Sequence, residues 1–200
     1  METRYRFWPW ALVNWSRAGV MIAPFLLILA PFLRQGMSLP VFLVFLHLPL
    51  YMVHQYEEHA HGAFKAFVNR EIGHGKEFIN DRAIFWINVG EVWFVDVALI
   101  YLTADVRTAL GLVAIDLTIV NGLLHTIIAL VTRRYNPGLL TSLLLFLPIG
   151  GYTWYLFTTV VPLSWGDHVI GVGAALLLHL SLVIPVRLSR GRSITLPGSA

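Results

Sequence analysis

Residues 39–61 read LPVFLVFLHLPLYMVHQYEEHAH. The run is apolar on all sides up to Val53, except for His47, and then turns into a dense string of imidazoles and carboxylates. A soluble helix of this length keeps a polar face towards water. A segment of about 20 predominantly apolar residues without one is a membrane span. The histidines and acids at its end are therefore expensive in lipid, and each is a functional-site candidate by default.

The rest of the chain agrees. Of its 200 residues, 57% are hydrophobic and only 12% charged, with a mean hydropathy of +0.71. Soluble domains carry about 25% charged residues. Disorder is excluded by an aromatic content of 13%, because disordered chains are poor in aromatics. The expected fold is all-α, a polytopic membrane helical bundle forming a single domain over 1–200. Its spans are expected near 18–33, 39–61, 83–104, 107–132, 139–161 and 168–187. Residues 1–17, with Trp8, Trp10 and Trp15, read as an interfacial lead-in. Residues 62–82 read as one long loop of mixed charge, with an amphipathic surface helix as the alternative. With no cysteine, thiolate metal sites and a cysteine nucleophile are excluded. No cleavable signal peptide is evident.

The net charge of +3 does not point to nucleic acid, because the cations are placed as topology signals. Arg4, Arg6 and Arg17 precede the first span. Lys65, Arg70, Lys76 and Arg82 fall in the second loop, Arg133 and Arg134 in the fourth, and Arg187, Arg190 and Arg192 in the tail. Six spans put all twelve on one side and leave only Arg34 and Arg107 on the other. By the positive-inside rule both termini are cytoplasmic, as is the loop 62–82. The expected location is an integral membrane, the cytoplasmic one in a bacterium.

At about 100° per residue, with His54 at zero, Glu57 lies at about 300°, Glu58 at about 40° and His61 at about 340°. These four share one face, whereas His59 points elsewhere. Glu58-x-x-His61 has the spacing of the Glu-x-x-His element of di-iron bundles, and His54-x-x-Glu57 is its reverse. On the six-span topology, Asn88 and Glu91 of the third span, Asn121 and His125 of the fourth and His179 of the last reach the same depth. Imidazole and carboxylate without sulfur suit zinc, iron or manganese.

Other polar residues read more plainly. His47 alone is a hydrogen-bonded core histidine. Asp167 and His168 sit at an outer mouth, where Asp167 caps a helix. Asp96 and Asp116 lie nearer the membrane centre and read as structural pairing, with a proton path as the alternative.

The string His54-Gln55-Tyr56-Glu57-Glu58 matches the motif of the HXXEE family of integral membrane proteins. Asn121-x-x-x-His125 and Tyr135-Asn136-Pro137-Gly138 resemble that family's separate histidine and its Tyr-x-Pro-Gly element. The resemblance covers roughly residues 45–150. It implies an integral membrane domain in which His54, Glu57, Glu58, His125, Tyr135, Pro137 and Gly138 matter, and names no reaction.

The expected function is an intramembrane metal-dependent enzyme, a hydrolase or oxidoreductase. It would act on a membrane lipid or isoprenoid-like hydrophobic substrate from the cytoplasmic side, through metal-activated water or oxygen. The metal would be zinc or iron, mononuclear or dinuclear, held by His54, Glu57, Glu58, His61 and His125. Glu57, Glu58 and Glu91 are the acid–base candidates, and Asn88, Asn121, Tyr135 and Asn136 would orient ligands or substrate. The alternatives are a metal-free acid–base isomerase and a transporter of protons or divalent cations. Against transport stands the lack of an inverted repeat.

Overall fold

A computed structural model of the chain describes residues 7–181. The start of the lead-in (1–6), the end of the sixth span (182–187) and the basic residues Arg4, Arg6, Arg187, Arg190 and Arg192 lie outside the described residues. Within these there is helix and no strand. The helices are α1 (Phe7–Gly36), α2 (Leu39–His59), α3 (Ala63–Glu71), α4 (Asp81–Val106), α5 (Thr108–Thr132) and α6 (Leu139–Val160), and α7 (Trp165–Ser181). Five helical stretches are long and apolar enough to cross a membrane: α1, α2 together with α3, α4, α5 and α6. α7, 17 residues long and mostly apolar, stands at the place of the sixth span.

Helix α2 is the centre of the bundle. In the stretch Leu39–Glu71, 67% of the most apolar window is buried, against 22% in α1, α4 and α6. That is why α2 can carry polar groups: its neighbours, not lipid, surround them. One end of the bundle closes dry, where Leu43 and Val44 of α2 meet Leu99, Leu112, Ile115 and Phe157. His47 marks the first polar level below this core. Its Nδ1 pairs with Thr118 Oγ1 at 2.7 Å and its Nε2 with Thr153 Oγ1 at 3.1 Å, joining α2, α5 and α6. It is the core histidine that its isolation in the sequence suggests.

The structure departs from the sequence expectations in three places. Helix α1 begins at Phe7, so the tryptophans of the lead-in continue the first span as one helix. The expected loop 62–82 contains α3, which buries Phe67 and Val68. Asn69 then ties the following turn, its Oδ1 accepting from Phe78 N at 2.7 Å and Ile79 N at 2.9 Å. Third, Asp96 and Asp116 do not pair: both oxygens of Asp96 and Oδ2 of Asp116 are buried without a hydrogen-bond partner. At the far end, Ser164 and Asp167 form the capping pair of α7, with Ser164 N donating to Asp167 Oδ2 at 2.8 Å and Arg107 within 2.8 Å of its other oxygen.

Three turns are π-helical: Trp86–Trp93 in α4, Leu102–Val106 at its end, and Ser142–Phe146 in α6. Widened turns of this kind recur at functional sites. The first contains Asn88 and Glu91, and the third starts beside Thr141.

Candidate metal centre

Three side chains from two distant stretches meet in the interior. His54, Glu58 and His125 offer ligand atoms that all lie within 4.8 Å of one another. Glu58 Oε2 is 3.6 Å from His54 Nε2, and Glu58 Oε1 is 3.6 Å from His125 Nε2. His54 is fully buried, and Glu58 and His125 are 7% and 6% exposed. His54 and Glu58 stack one turn apart on α2, as the spacing of four requires. α5 brings in His125, as the common depth of the two spans implies.

The bonds behind these imidazoles determine which ring nitrogen carries hydrogen. Asn136 Nδ2 donates to the backbone oxygen of His125 at 2.9 Å, which turns the amide oxygen towards the ring. Asn136 Oδ1 then faces His125 Nδ1 at 2.6 Å. An amide oxygen only accepts, so Nδ1 is the protonated nitrogen and Nε2 of the neutral ring is a bare lone pair. His54 is set by a longer chain. Thr141 Oγ1 donates to Glu57 Oε2 and can therefore only accept from His54 Nδ1, 2.8 Å away. His54 Nε2 is left buried with no hydrogen-bond partner. Two lone pairs and one carboxylate thus point into the same small space. Imidazole ligands of metals are oriented in this way by groups behind them.

The connection between α5 and α6 builds the floor. Arg133 ends α5 in a left-handed conformation, and Gly138 starts α6 at φ +96°. A Cβ on Gly138 would lie 2.7 Å from His125 Cε1 and 2.9 Å from His54 Cε1. Only glycine lets the backbone approach both rings. The His54 ring also stacks on Phe146 at 4.2 Å.

Glu57, expected among the ligands, faces the other way. Its Oε1 accepts from Tyr135 OH at 2.6 Å and Leu140 N at 3.0 Å, and its Oε2 from Thr141 N at 2.7 Å. The carboxylate sits on the N-terminus of α6, where free N–H groups and the helix dipole favour an anion. Burial and this acceptor together push the Tyr135 phenol up to about 12. His61 is also separated from the cluster. The wheel that aligns it with His54 assumes continuous helix, but α2 stops at His59, and His61 takes φ +58° ahead of Gly62 at φ +71°. A glycine after a periodic run is a C-terminal signal, and Gly62 is the residue that announces the break. Glu91 lies apart from the three ligands, its Oε1 accepting from Ser181 Oγ at 2.7 Å.

His59, which the wheel sends elsewhere, reaches the site. Its Nε2 is 3.2 Å from Glu58 Oε2, and its ring packs at 5.0 Å from Trp15 and 5.1 Å from Phe64. Neither His59 nor Thr141 stands out in the sequence. Thr141 falls in the first turn after Tyr135-Asn136-Pro137-Gly138, and that placement is its one available signal.

Glu58, His59 and His125 open onto a cavity of about 240 Å³. Its walls are mainly apolar, including Ile72, Phe78, Ile79, Ile87, Ile128 and Leu178, with Gln55, Asn88, Glu91, Asn121 and His179 as the polar exceptions. Gln55 and Asn88 are locked together, Gln55 Nε2 donating to Asn88 Oδ1 at 2.9 Å and Asn88 Nδ2 to Ile84 O at 2.8 Å. Asn121 Oδ1 is buried without a partner. His179 Nδ1 faces its own helix, 2.7 Å from Ala175 O.

Residues 45–153 match the profile of a family described as proteins of unknown function with an HXXEE motif. The match spans more than half of the chain, and the chain belongs to that family. The motif is His54-Gln55-Tyr56-Glu57-Glu58, and His125 and the Tyr135–Gly138 connection fall inside the matched region. No curated protein and no solved structure matches the chain.

Proposed function

We propose that this member of the HXXEE-motif family is a membrane metalloenzyme that holds one divalent cation, zinc or iron, between His54, Glu58 and His125 and acts on a lipid-like substrate. The observation that carries this reading is the commitment of both Nδ1 hydrogens to Asn136 and Thr141. It aims two imidazole lone pairs at a buried carboxylate. Such a group of acceptors repels itself in a dry interior unless a cation lies among them. Neutral imidazole with carboxylate suits zinc or iron, and three protein ligands leave a position open for reactants. The separation of Glu57, His61 and Glu91 from the cluster favours one ion over two.

When bound, the cation supplies Lewis acidity, and iron also gives access to oxygen chemistry. The chain's own groups do the rest. His59 Nε2 lies 3.2 Å from the Glu58 oxygen that faces away from His125 and adds a third imidazole beside that carboxylate. Asn136 and Thr141 hold the rings against rotation. The isoleucine-rich cavity walls exclude water and favour a hydrocarbon substrate, while Asn88, Asn121 and Glu91 offer polar contacts along it. Entry from the bilayer suits these walls, and the distribution of arginine and lysine in the sequence supports a site in the cytoplasmic half of the membrane.

Metal analysis of the protein purified in mild detergent, with no metal added, tests this reading. The expected result is about one equivalent of zinc or iron in the wild type, lost in folded His54→Ala and His125→Ala. A folded wild-type protein without metal overturns it in favour of a metal-free acid–base isomerase. Gradient-driven cation flux into vesicles, abolished by the same two substitutions, overturns it in favour of a transporter.

A further inference from the structure

A second cavity, of about 250 Å³, lies against the first. Its walls come from α1, the α2–α3 turn and the start of α4, and they differ in kind from those of the apolar cavity. Arg17, Lys65 and His61 face it together with His59, against a single carboxylate, that of Asp81. Lys65 is held by both Asp81 oxygens at 2.7 and 2.8 Å. Among the described residues, the side-chain partner of Arg17 is a neutral one, Asn14 Oδ1 at 3.3 Å. With Lys65 paired to Asp81 and His59 beside Glu58, the Arg17 guanidinium and the His61 imidazole are left in this wall without an acid of their own among the described residues.

His61 reaches this wall only because its backbone is left-handed, at φ +58°. Non-glycine residues seldom adopt that conformation, and where they do the strain often serves a site. The same twist removes His61 from His54 and Glu58.

The two cavities share His59 and Ile84 as wall residues. His59 lines both and packs against one aromatic ring from each: Trp15, which lines the cationic cavity, and Phe64, which lines the apolar one. Its Nε2 points at Glu58. A molecule occupying both spaces would therefore have a negatively charged end beside Arg17 and His61, a hydrocarbon end among the isoleucines, and the bond between them next to the candidate metal centre.

From this juxtaposition we infer that the substrate is an anionic amphiphile, with a phosphate-type head seated by Arg17 and His61 and a tail in the apolar cavity. The inference rests on the proposed metalloenzyme reading for the reaction, and on the cavities alone for binding. Arginine and imidazole N–H groups give the strong, charge-assisted bonds that a phosphate oxygen takes. The apolar wall adds affinity in proportion to the hydrocarbon it covers.

The test measures calorimetric binding of dodecyl phosphate to the full chain in neutral detergent, with dodecanol and inorganic phosphate as comparators. Dodecyl phosphate is expected to saturate one site and to bind at least about tenfold more tightly than either comparator. Arg17→Gln and His61→Gly should each weaken it by about tenfold; the glycine keeps the left-handed turn. Equal affinity for dodecyl phosphate and dodecanol, or unchanged affinity in both variants, overturns the head-group assignment. Inorganic phosphate binding as tightly as dodecyl phosphate overturns the tail assignment. Metal content is read in the same samples. Retained metal without head-group discrimination defeats this inference alone. Discrimination in a metal-free protein defeats the metalloenzyme reading alone.

Discussion

Asn136 grips His125 twice, accepting from its Nδ1 at 2.6 Å and donating to its backbone oxygen at 2.9 Å. The second bond fixes the amide, and the amide fixes the imidazole. Removing it with Asn136→Ala should lower metal affinity by about 10- to 100-fold, the usual effect of losing a group behind a metal-bound imidazole. Asn136→Asp keeps an acceptor at Nδ1 and should retain most of the affinity. Competition with a chelator of known strength measures both, and equal affinities in Asn136→Ala and wild type would refute the role.

Thr141 makes a parallel prediction for His54. Thr141→Val removes the hydroxyl between Glu57 and His54 Nδ1, while Thr141→Ser keeps it. The valine variant should lose metal affinity on the same scale and the serine variant should not. Because Glu57 still accepts from the backbone N–H groups of Leu140 and Thr141, the loss of stability in the valine variant should stay near 1 kcal/mol. Thermal unfolding beside the chelator titration separates the two effects.

Gly138→Ala should be the most damaging small substitution in the connection. The left-handed backbone at φ +96° costs a side chain about 1–2 kcal/mol. The added methyl also pushes on both imidazoles at once. A lowered melting temperature together with loss of metal is the expected outcome. Loss of stability with full metal content would show that the rings can move aside.

His47 provides the contrast. Its imidazole joins three helices through Thr118 and Thr153 and touches none of the three candidate ligands. His47→Ala should reduce stability by about 1–3 kcal/mol, through a cavity and two lost interhelical bonds, and leave the metal stoichiometry unchanged. A histidine count alone cannot tell these roles apart, whereas this pair of measurements can.

The Tyr135–Glu57 bond predicts a pH dependence at the alkaline end. Burial and the Glu57 carboxylate raise the phenol from 10.0 to about 12. The folded value lies above the unfolded one, so the contribution is complete below pH 10 and is lost as the pH climbs through 12. Tyrosinate absorbance, taken as the difference from Tyr135→Phe, should show one phenol titrating late, and Glu57→Gln should bring it back towards 10. A Tyr135 that titrates at its ordinary value in the wild type would break the link.

Hydropathy made the membrane-crossing helices readable, because a span has to be apolar for most of its length whatever packs against it; of the six spans expected, five are long and apolar enough among the described residues. The expected order of spans puts His125 level with His54 and Glu58, the resemblance to the HXXEE family adds it to the same set, and the three do meet. The errors lie where the backbone leaves the regular helix. His61 was placed by a wheel that runs past the end of α2. Glu57 shares that face, yet its carboxylate is captured by the N-terminus of α6, a partner 84 residues away. His59 became accessible to Glu58 through side-chain reach and not through helical phase. Rotation per residue predicts which side of a helix a group occupies, but not which of several neighbours its flexible end selects.

The distance along the chain between these partners bears on how the protein is made. At about 5–20 residues per second, His54 and Glu58 emerge several seconds before Asn136 and Thr141. The growing chain therefore meets the bilayer with a carboxyl group in its second span and none of the donors that later satisfy the surrounding polar atoms. The three candidate ligands come together only once α5 has brought His125 to α2, so on the proposed metalloenzyme reading metal loading would follow the docking of α5 and be a late step of biogenesis.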